Sequence, residues 1–173
     1  MALLLTCNVM AQKTSLTLHV EGLPEQAKPV LCKVEGNNLV IVDTLENTTN
    51  SKKPAKIALD IKAPTLFILQ TTNRDGAVCH LMMEPGDKVQ ADIVHTVADG
   101  EHAQFVVTSC KGSKNVEVYK QFNDIILGAV NPTMQALVPG QIEKLLRDNS
   151  NVLVSAFLVT YFEQQFEQYQ PLT

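Results

Sequence analysis

Leu66-Phe67-Ile68-Leu69, then Asn73-Arg74-Asp75-Gly76, then Val78-Cys79-His80-Leu81-Met82-Met83, then Glu84-Pro85-Gly86-Asp87 follow one another in a single short stretch. The first run is continuously apolar and suits a strand covered on both faces. Asp75-Gly76 between two apolar runs signals a hairpin, because Gly accepts a positive φ. Pro85-Gly86-Asp87 closes the second run as a tight turn, with the Asp87 side chain placed to bond the backbone ahead of it. Toward the N-terminus the same period of two continues through Ile57, Leu59 and Ile61, then Leu39 and Ile41, then Val30, Cys32 and Val34, then Leu16, Leu18 and Val20. Toward the C-terminus it continues through Val89 to Val94 and Phe105 to Val107. Turn signals separate these runs at Gly22-Leu23-Pro24, Glu35-Gly36-Asn37-Asn38, Asn47 to Pro54 and Asp99-Gly100. About eight short strands spaced roughly 8–14 residues apart predict an antiparallel β-sandwich or a partly open barrel over residues 12–111.

After Gly112 the period changes to 3.6, so the fold class is α+β with a helical segment over residues 112–173. Val116, Tyr119, Phe122, Asn123, Ile126 and Leu127 share one helical face. Ser113 is placed as the N-cap of that helix, Glu117 supports its first turn, and Asn131-Pro132 ends it. A second helix is expected from about Thr133, interrupted at Pro139-Gly140 and resuming through Ile142, Leu145 and Leu146. Asn149-Ser150 is read as the cap of a third helix from Val152 to about Tyr169. Its apolar positions (Leu153, Ala156, Phe157, Val159, Thr160, Phe162, Phe166, Tyr169) cover more than half its girth. A helix that apolar requires a partner on both sides.

Composition removes whole classes of function. The 173 residues are 45% apolar and 18% charged, which excludes disorder, collagen and coiled coil. Fourteen Lys and Arg against 18 Asp and Glu give a net charge of −4, so no basic surface is available to neutralise nucleic-acid phosphates. Trp is absent and only 6 Phe and 3 Tyr are present, which argues against an aromatic platform for sugars or bases.

Residues 1–11, ending Val9-Met10-Ala11, read as the remnant of a secretory signal peptide that lacks its basic start. The run is too short to span a membrane, and no later segment does so. Two other readings remain: a buried first strand or disordered terminus, and a lipoprotein acylated at Cys7 after Leu4-Leu5-Thr6. Either export reading places the protein in the periplasm or cell envelope. Cys32, Cys79 and Cys110 match no zinc or redox spacing. Cys32 and Cys79 read as small apolar residues facing a sheet core, and a Cys79–Cys110 disulfide is the alternative in an oxidising compartment.

Candidate chemistry is sparse. His95 and His102 crowd one loop with Asp92, Asp99 and Glu101, the one place where a metal site is conceivable. Cys79 next to His80 suggests an activated thiolate, but adjacent strand residues point to opposite faces. Ser109 and Ser113 lack a nucleophile-elbow context. Gly112-Ser113 at a helix start is a simple cap before it is an anion site. No catalytic, cofactor-binding or metal residue is therefore assigned, and no cofactor is expected. Pro85, Gly86, Asp87, Gly112 and Ser113 are assigned structural roles.

Four motifs in order resemble one family. They are a strand closing on Glu21-Gly22-Leu23, the strand Leu81-Met82-Met83-Glu84 running into Pro85-Gly86-Asp87, the segment Lys111-Gly112-Ser113-Lys114-Asn115 before the first helix, and the helix opening Asn149-Ser150-Asn151-Val152-Leu153-Val154-Ser155-Ala156-Phe157. Together, over roughly Leu16–Tyr169, they resemble the N-terminal domain of unknown function that precedes the thioredoxin-like domain in secreted bacterial thiol–disulfide interchange proteins. The resemblance implies a β-rich periplasmic domain followed by helices, non-catalytic, and accessory to a thioredoxin-like oxidoreductase. Its partner would be a thioredoxin-like domain in cis or a separate redox protein, or a second copy in a homodimer. The family's redox cysteines sit in a W-C-x-x-C motif of the other domain, and this chain has neither Trp nor that spacing. A free-standing secreted module binding a peptide or small ligand is the alternative, and an enzyme with a metal in the His95–His102 loop is the third.

Overall fold

Alternation along the strands becomes burial on one side. In β1 (Thr14–Glu21), Thr14, Leu16, Leu18 and Val20 are buried and the residues between them are half covered. A computed structural model describes residues 13–46, 53–98 and 102–166. The expected residues 1–11, Cys7 included, the centre of the Asn47–Pro54 loop, and Asp99, Gly100 and Glu101 lie outside the described residues. After β1 come β2 (Pro29–Glu35), β3 (Asn38–Thr44), β4 (Ala55–Leu59), β5 (Thr65–Thr71), β6 (Val78–Met83), β7 (Lys88–Ala98) and β8 (His102–Lys111). Three helices follow, α1 (Lys114–Leu127), α2 (Pro132–Asp148) and α3 (Leu153–Phe166). The α+β class holds, with a strand at each of the eight expected runs.

The strands form two four-stranded sheets, β4-β1-β7-β8 and β3-β2-β5-β6. They are not closed into a barrel, so the sandwich alternative is the one realised. A single apolar core, including Leu16, Leu18, Ile93, Phe67, Leu69 and Leu81, draws on both sheets. Five of the six strand pairs are antiparallel as expected; the sixth, β1 with β7, is parallel from Ser15↔Lys88 to Glu21↔Val94. Parallel neighbours need a long crossover. Here it is the whole passage through the second sheet, with β4 returning to the first on the way. Edge strands β6 and β8 contact each other, and α1 lies against both. Helix α1 therefore seals one side of the sandwich, burying Val116, Val118, Tyr119 and Phe122. Leu127, placed by periodicity on that face, is exposed instead, and Val118 is the buried residue the pattern missed.

Helix boundaries shift for identifiable reasons. Asn131-Pro132 opens α2 and does not end α1: the Asn131 side chain accepts from the Met134 N–H, and Pro132 sits where a helix lacks an N–H partner anyway. Helix α2 runs unbroken through Pro139 and Gly140. Asn149 closes α2 by donating from Nδ2 to the Leu145 carbonyl, so it caps the helix before it rather than the one after.

Glycine matters most at the exit from β8. Gly112 has φ +90°, and a Cβ there would lie 2.0 Å from the Lys88 carbonyl oxygen. Gly76, in the β5–β6 turn, has nearly the same φ of +91° but open space around it. Gly112→Ala is expected to cost roughly 3 kcal/mol or more and Gly76→Ala about 1 kcal/mol. Urea unfolding of both variants, with equal losses as the contrary result, checks this.

Candidate functional site

The residues singled out for structure meet in space. Asp87 N–H donates to the Glu84 carbonyl at 3.1 Å, with Pro85 and a positive-φ Gly86 between them, a type II turn. Asp87 Oδ2 accepts from the Glu84 N–H at 2.9 Å and locks that turn. The turn is then stitched to the start of β1: Gly86 N–H donates to Thr14 Oγ1 and Ser15 N–H to the Asp87 carbonyl, both at 2.9 Å. Lys88 N–H donates to the Gly112 carbonyl. Pro85, Gly86, Asp87 and Gly112 thus form one backbone junction where β1, β7 and the entry to α1 come together.

Ser113 departs from its expected role. It occupies the N-cap position of α1 and its carbonyl accepts from Glu117 N–H, but its side chain makes no capping bond, and its Oγ is buried without a partner. The polar work falls to Asn115, which is fully buried. Its Nδ2 donates to Glu84 Oε2 at 2.9 Å, and its Oδ1 accepts from the Val154 N–H at 2.9 Å. One amide joins the Pro85 turn to the first turn of α3. In the sequence Asn115 stands within the Lys111–Asn115 motif with no role assigned to it. A polar residue in the first turn of an apolar-faced helix is the available signal.

The thiols are held quiet. Cys32, Cys79 and Cys110 are free. Cys79 lies in the core, and burial first, then the nearby Cys110 thiol, pushes its pKa to about 12. Cys110 is also raised, by burial and by Glu117 and Asp124 against an opposing Lys120. Cys32 is buried on the outer side of the second sheet, where Gln70 Nε2 donates to its sulfur. The sequence pattern puts Cys32 facing the sheet core; the structure turns it to the opposite face of β2. His80 points away from Cys79, as strand geometry requires. Its Nδ1 is 3.0 Å from the Tyr119 hydroxyl, and the rings of Tyr119, Phe157 and Tyr161 surround it. Burial lowers its pKa and raises that of Tyr119, so both are neutral near pH 7.

The His95 loop does not assemble as a metal site from its described members. His95 is buried, with Nε2 donating to Asp75 Oδ2 at 2.9 Å and its ring edge-on to Phe105. Asp92 is exposed. It does not join His95. Among the described residues no group of three metal-ligating side chains forms. Asp75 itself is partly desolvated, which opposes ionisation, but bonds from Thr71, Ala77 and His95 outweigh that and lower its pKa. The pair ties the β5–β6 turn of one sheet to β7 of the other.

A polar cleft of about 390 Å³ lies on the outer face of the first sheet, lined by Thr17, His19, Gln90, Asp92, Ser109 and Lys111 among others. His19, Asp92 and Ser109 lie in one row across β1, β7 and β8. Ser109 Oγ donates to Asp92 Oδ2, while His19 lies between Asp92 at 3.7 Å and Glu21 at 3.5 Å. With the carboxylate in the middle, no histidine base reaches the serine, so the row can hold a ligand's donors but does not activate a nucleophile. No known protein-family model matches the chain, and no curated protein does.

Two outcomes are expected. Asn115→Leu strands the Val154 N–H and should cost about 2–4 kcal/mol by chemical denaturation, with loss of α3 protection in hydrogen exchange. Because the folded pKa of His80 is depressed, the unfolded chain takes up a proton that the native state refuses. Stability is therefore complete above pH 6.5 and falls as pH drops from there toward the depressed value. Asp75 adds a second loss at lower pH, below the ordinary carboxylate range. His80→Phe should flatten the first step and leave the second, as read from melting temperature against pH.

Proposed function

We propose that this chain is a non-catalytic accessory domain of a periplasmic thiol–disulfide oxidoreductase, docking a thioredoxin-like domain, in cis or on a separate redox partner, through α3. One observation carries the reading: the motif residues behind the family resemblance converge on α3. Glu84 in the Pro85 turn, Asn115 after Gly112-Ser113, and Val154 in the last motif are joined by two hydrogen bonds. They fix a helix that buries Val154 and Leu158 on one side and turns Leu153 and Val159 to solvent on the other. The high-pKa thiol of Cys79 and the buried thiol of Cys32 suit a role in which disulfide chemistry belongs to the partner. Among the described residues no helix is long and apolar enough to cross a membrane.

The purified chain is expected to leave insulin disulfides unreduced above the dithiothreitol background. Titrated with the thioredoxin-like domain of a secreted oxidoreductase, it should bind, and Val159→Lys should weaken binding by about tenfold or more without moving the melting temperature. Turnover of insulin by this chain, or binding indifferent to Val159→Lys, overturns the proposal. The β1–β7–β8 cleft supports a second reading, a secreted module for a small polar ligand. There a thermal-shift screen would find a ligand whose stabilisation Asp92→Asn abolishes.

A further inference from the structure

A sandwich of two four-stranded sheets has four sheet edges, and three of these are blunted. Edges β6 and β8 lie against α1 and each other. Edge β4 is five residues long and carries exposed Lys56. Edge β3 is different: all seven of its residues are exposed, and Leu39, Val40, Ile41 and Val42 follow one another, with Ile41 65% accessible. It has no Lys, Arg or Pro, and its one charge is Asp43. Among the described residues no strand pairs with its outer side, which leaves a row of N–H and C=O groups flanked by apolar side chains, the arrangement that recruits another strand.

The register of the β2–β3 hairpin says which groups are free. Its loop is the two residues Gly36 and Asn37, with Glu35 opposite Asn38. Gly36 has φ +59° and Asn37 no positive φ, as in a type II′ turn. Residues flanking such a turn exchange hydrogen bonds, and every second pair does the same. Asn38 and Val40 therefore bond inward to Glu35 and Lys33, and Leu39 and Ile41 present their backbone groups to the open edge. A bulge opposite Leu31/Cys32 ends the regular edge just after Ile41.

We infer that β3 pairs antiparallel with β3 of a second copy of this chain, about a two-fold axis at Val40. The strand is its own complement. On that axis Val40 faces Val40, Leu39 faces Ile41, and Asn38 faces Val42, so no two like charges are opposed. Leu39 and Ile41, whose N–H and C=O point outward, exchange hydrogen bonds with Ile41 and Leu39 of the other copy, all on the regular side of the bulge. The result is one sheet of eight strands through both copies, an isologous contact. A peptide of another sequence would have to supply this pattern; a second copy supplies it by symmetry. The contact is small, so its dissociation constant is expected on the order of tens of micromolar. It uses a surface distinct from the exposed side of α3.

Sedimentation equilibrium of the full chain tests the pairing. The mass should rise with concentration from 19.0 kDa toward twice that value. Ile41→Lys sets an ammonium group against Leu39 of the other copy, twice over about the axis, and should weaken dimerisation about 100-fold or more, with the melting temperature unchanged because Ile41 is exposed. Val159→Lys should leave the dimer intact. A chain monomeric at 0.5 mM, a dimer that survives Ile41→Lys, or one lost with Val159→Lys overturns the inference. As a check independent of stability, Val40→Cys should crosslink to itself under glutathione disulfide, since a non-hydrogen-bonded pair on the axis brings these Cα atoms about 4.5 Å apart. A linkage through any other cysteine, mapped by mass spectrometry, also tells against it.

Discussion

A buried side-chain amide with both of its ends satisfied holds this molecule's two halves together. Asn115 has no solvent to fall back on, so each of its bonds is an exchange that cannot be loosened cheaply. It reads the β6–β7 turn with one end and the start of α3 with the other. Remove it and α3 loses its bearing on the sandwich, although each element keeps its own local reasons to form. Helix α3 especially needs an outside partner for its first amides. No residue at its own N-terminus caps Val154, and its apolar surface alone does not choose an orientation.

The rest of the polar interior follows the same logic. Asp75 and His95 satisfy each other across the sheets, and Tyr119 and His80 do so at the α1 seam. Each is a polar group made tolerable in the core by a partner from a different element. These pairs act as pins that set how the layers sit. Chemistry that needs an accessible charged group is left to the outer face of the first sheet, where His19, Asp92 and Ser109 stand in line.

Eight strands were legible because each is an alternating or, as in Leu66 to Leu69, a continuously apolar run between recognisable turns, and the turns at Gly36, Gly76 and Gly86 do take positive φ. The parallel contact of β1 with β7 was not legible. Side-chain alternation reads the same whichever way a neighbour runs. Asn131 was misassigned because a strong N-cap and a helix stop use the same residues. Cys32 was placed inside because its neighbours are apolar, but on β2 it shares the outer face with Ile68 and Ile41. The junction of Pro85 with Gly112 was visible as two separate turns. Only the fold shows them bonded to one another, and only burial shows that Ser113 leaves its hydroxyl idle while Asn115 does the joining.

The parallel pairing also imposes an order of assembly. Both hairpins of the second sheet, β2–β3 and β5–β6, close over a few residues and need nothing else to begin. The centre of the first sheet joins Ser15 to Lys88, a separation that makes its nucleation slow. On a ribosome, the second sheet can be paired while its apolar face still waits for β7 and β8 to be made. The protein therefore passes through an interval as half a sandwich, and its safe passage rests on how quickly the last strands arrive.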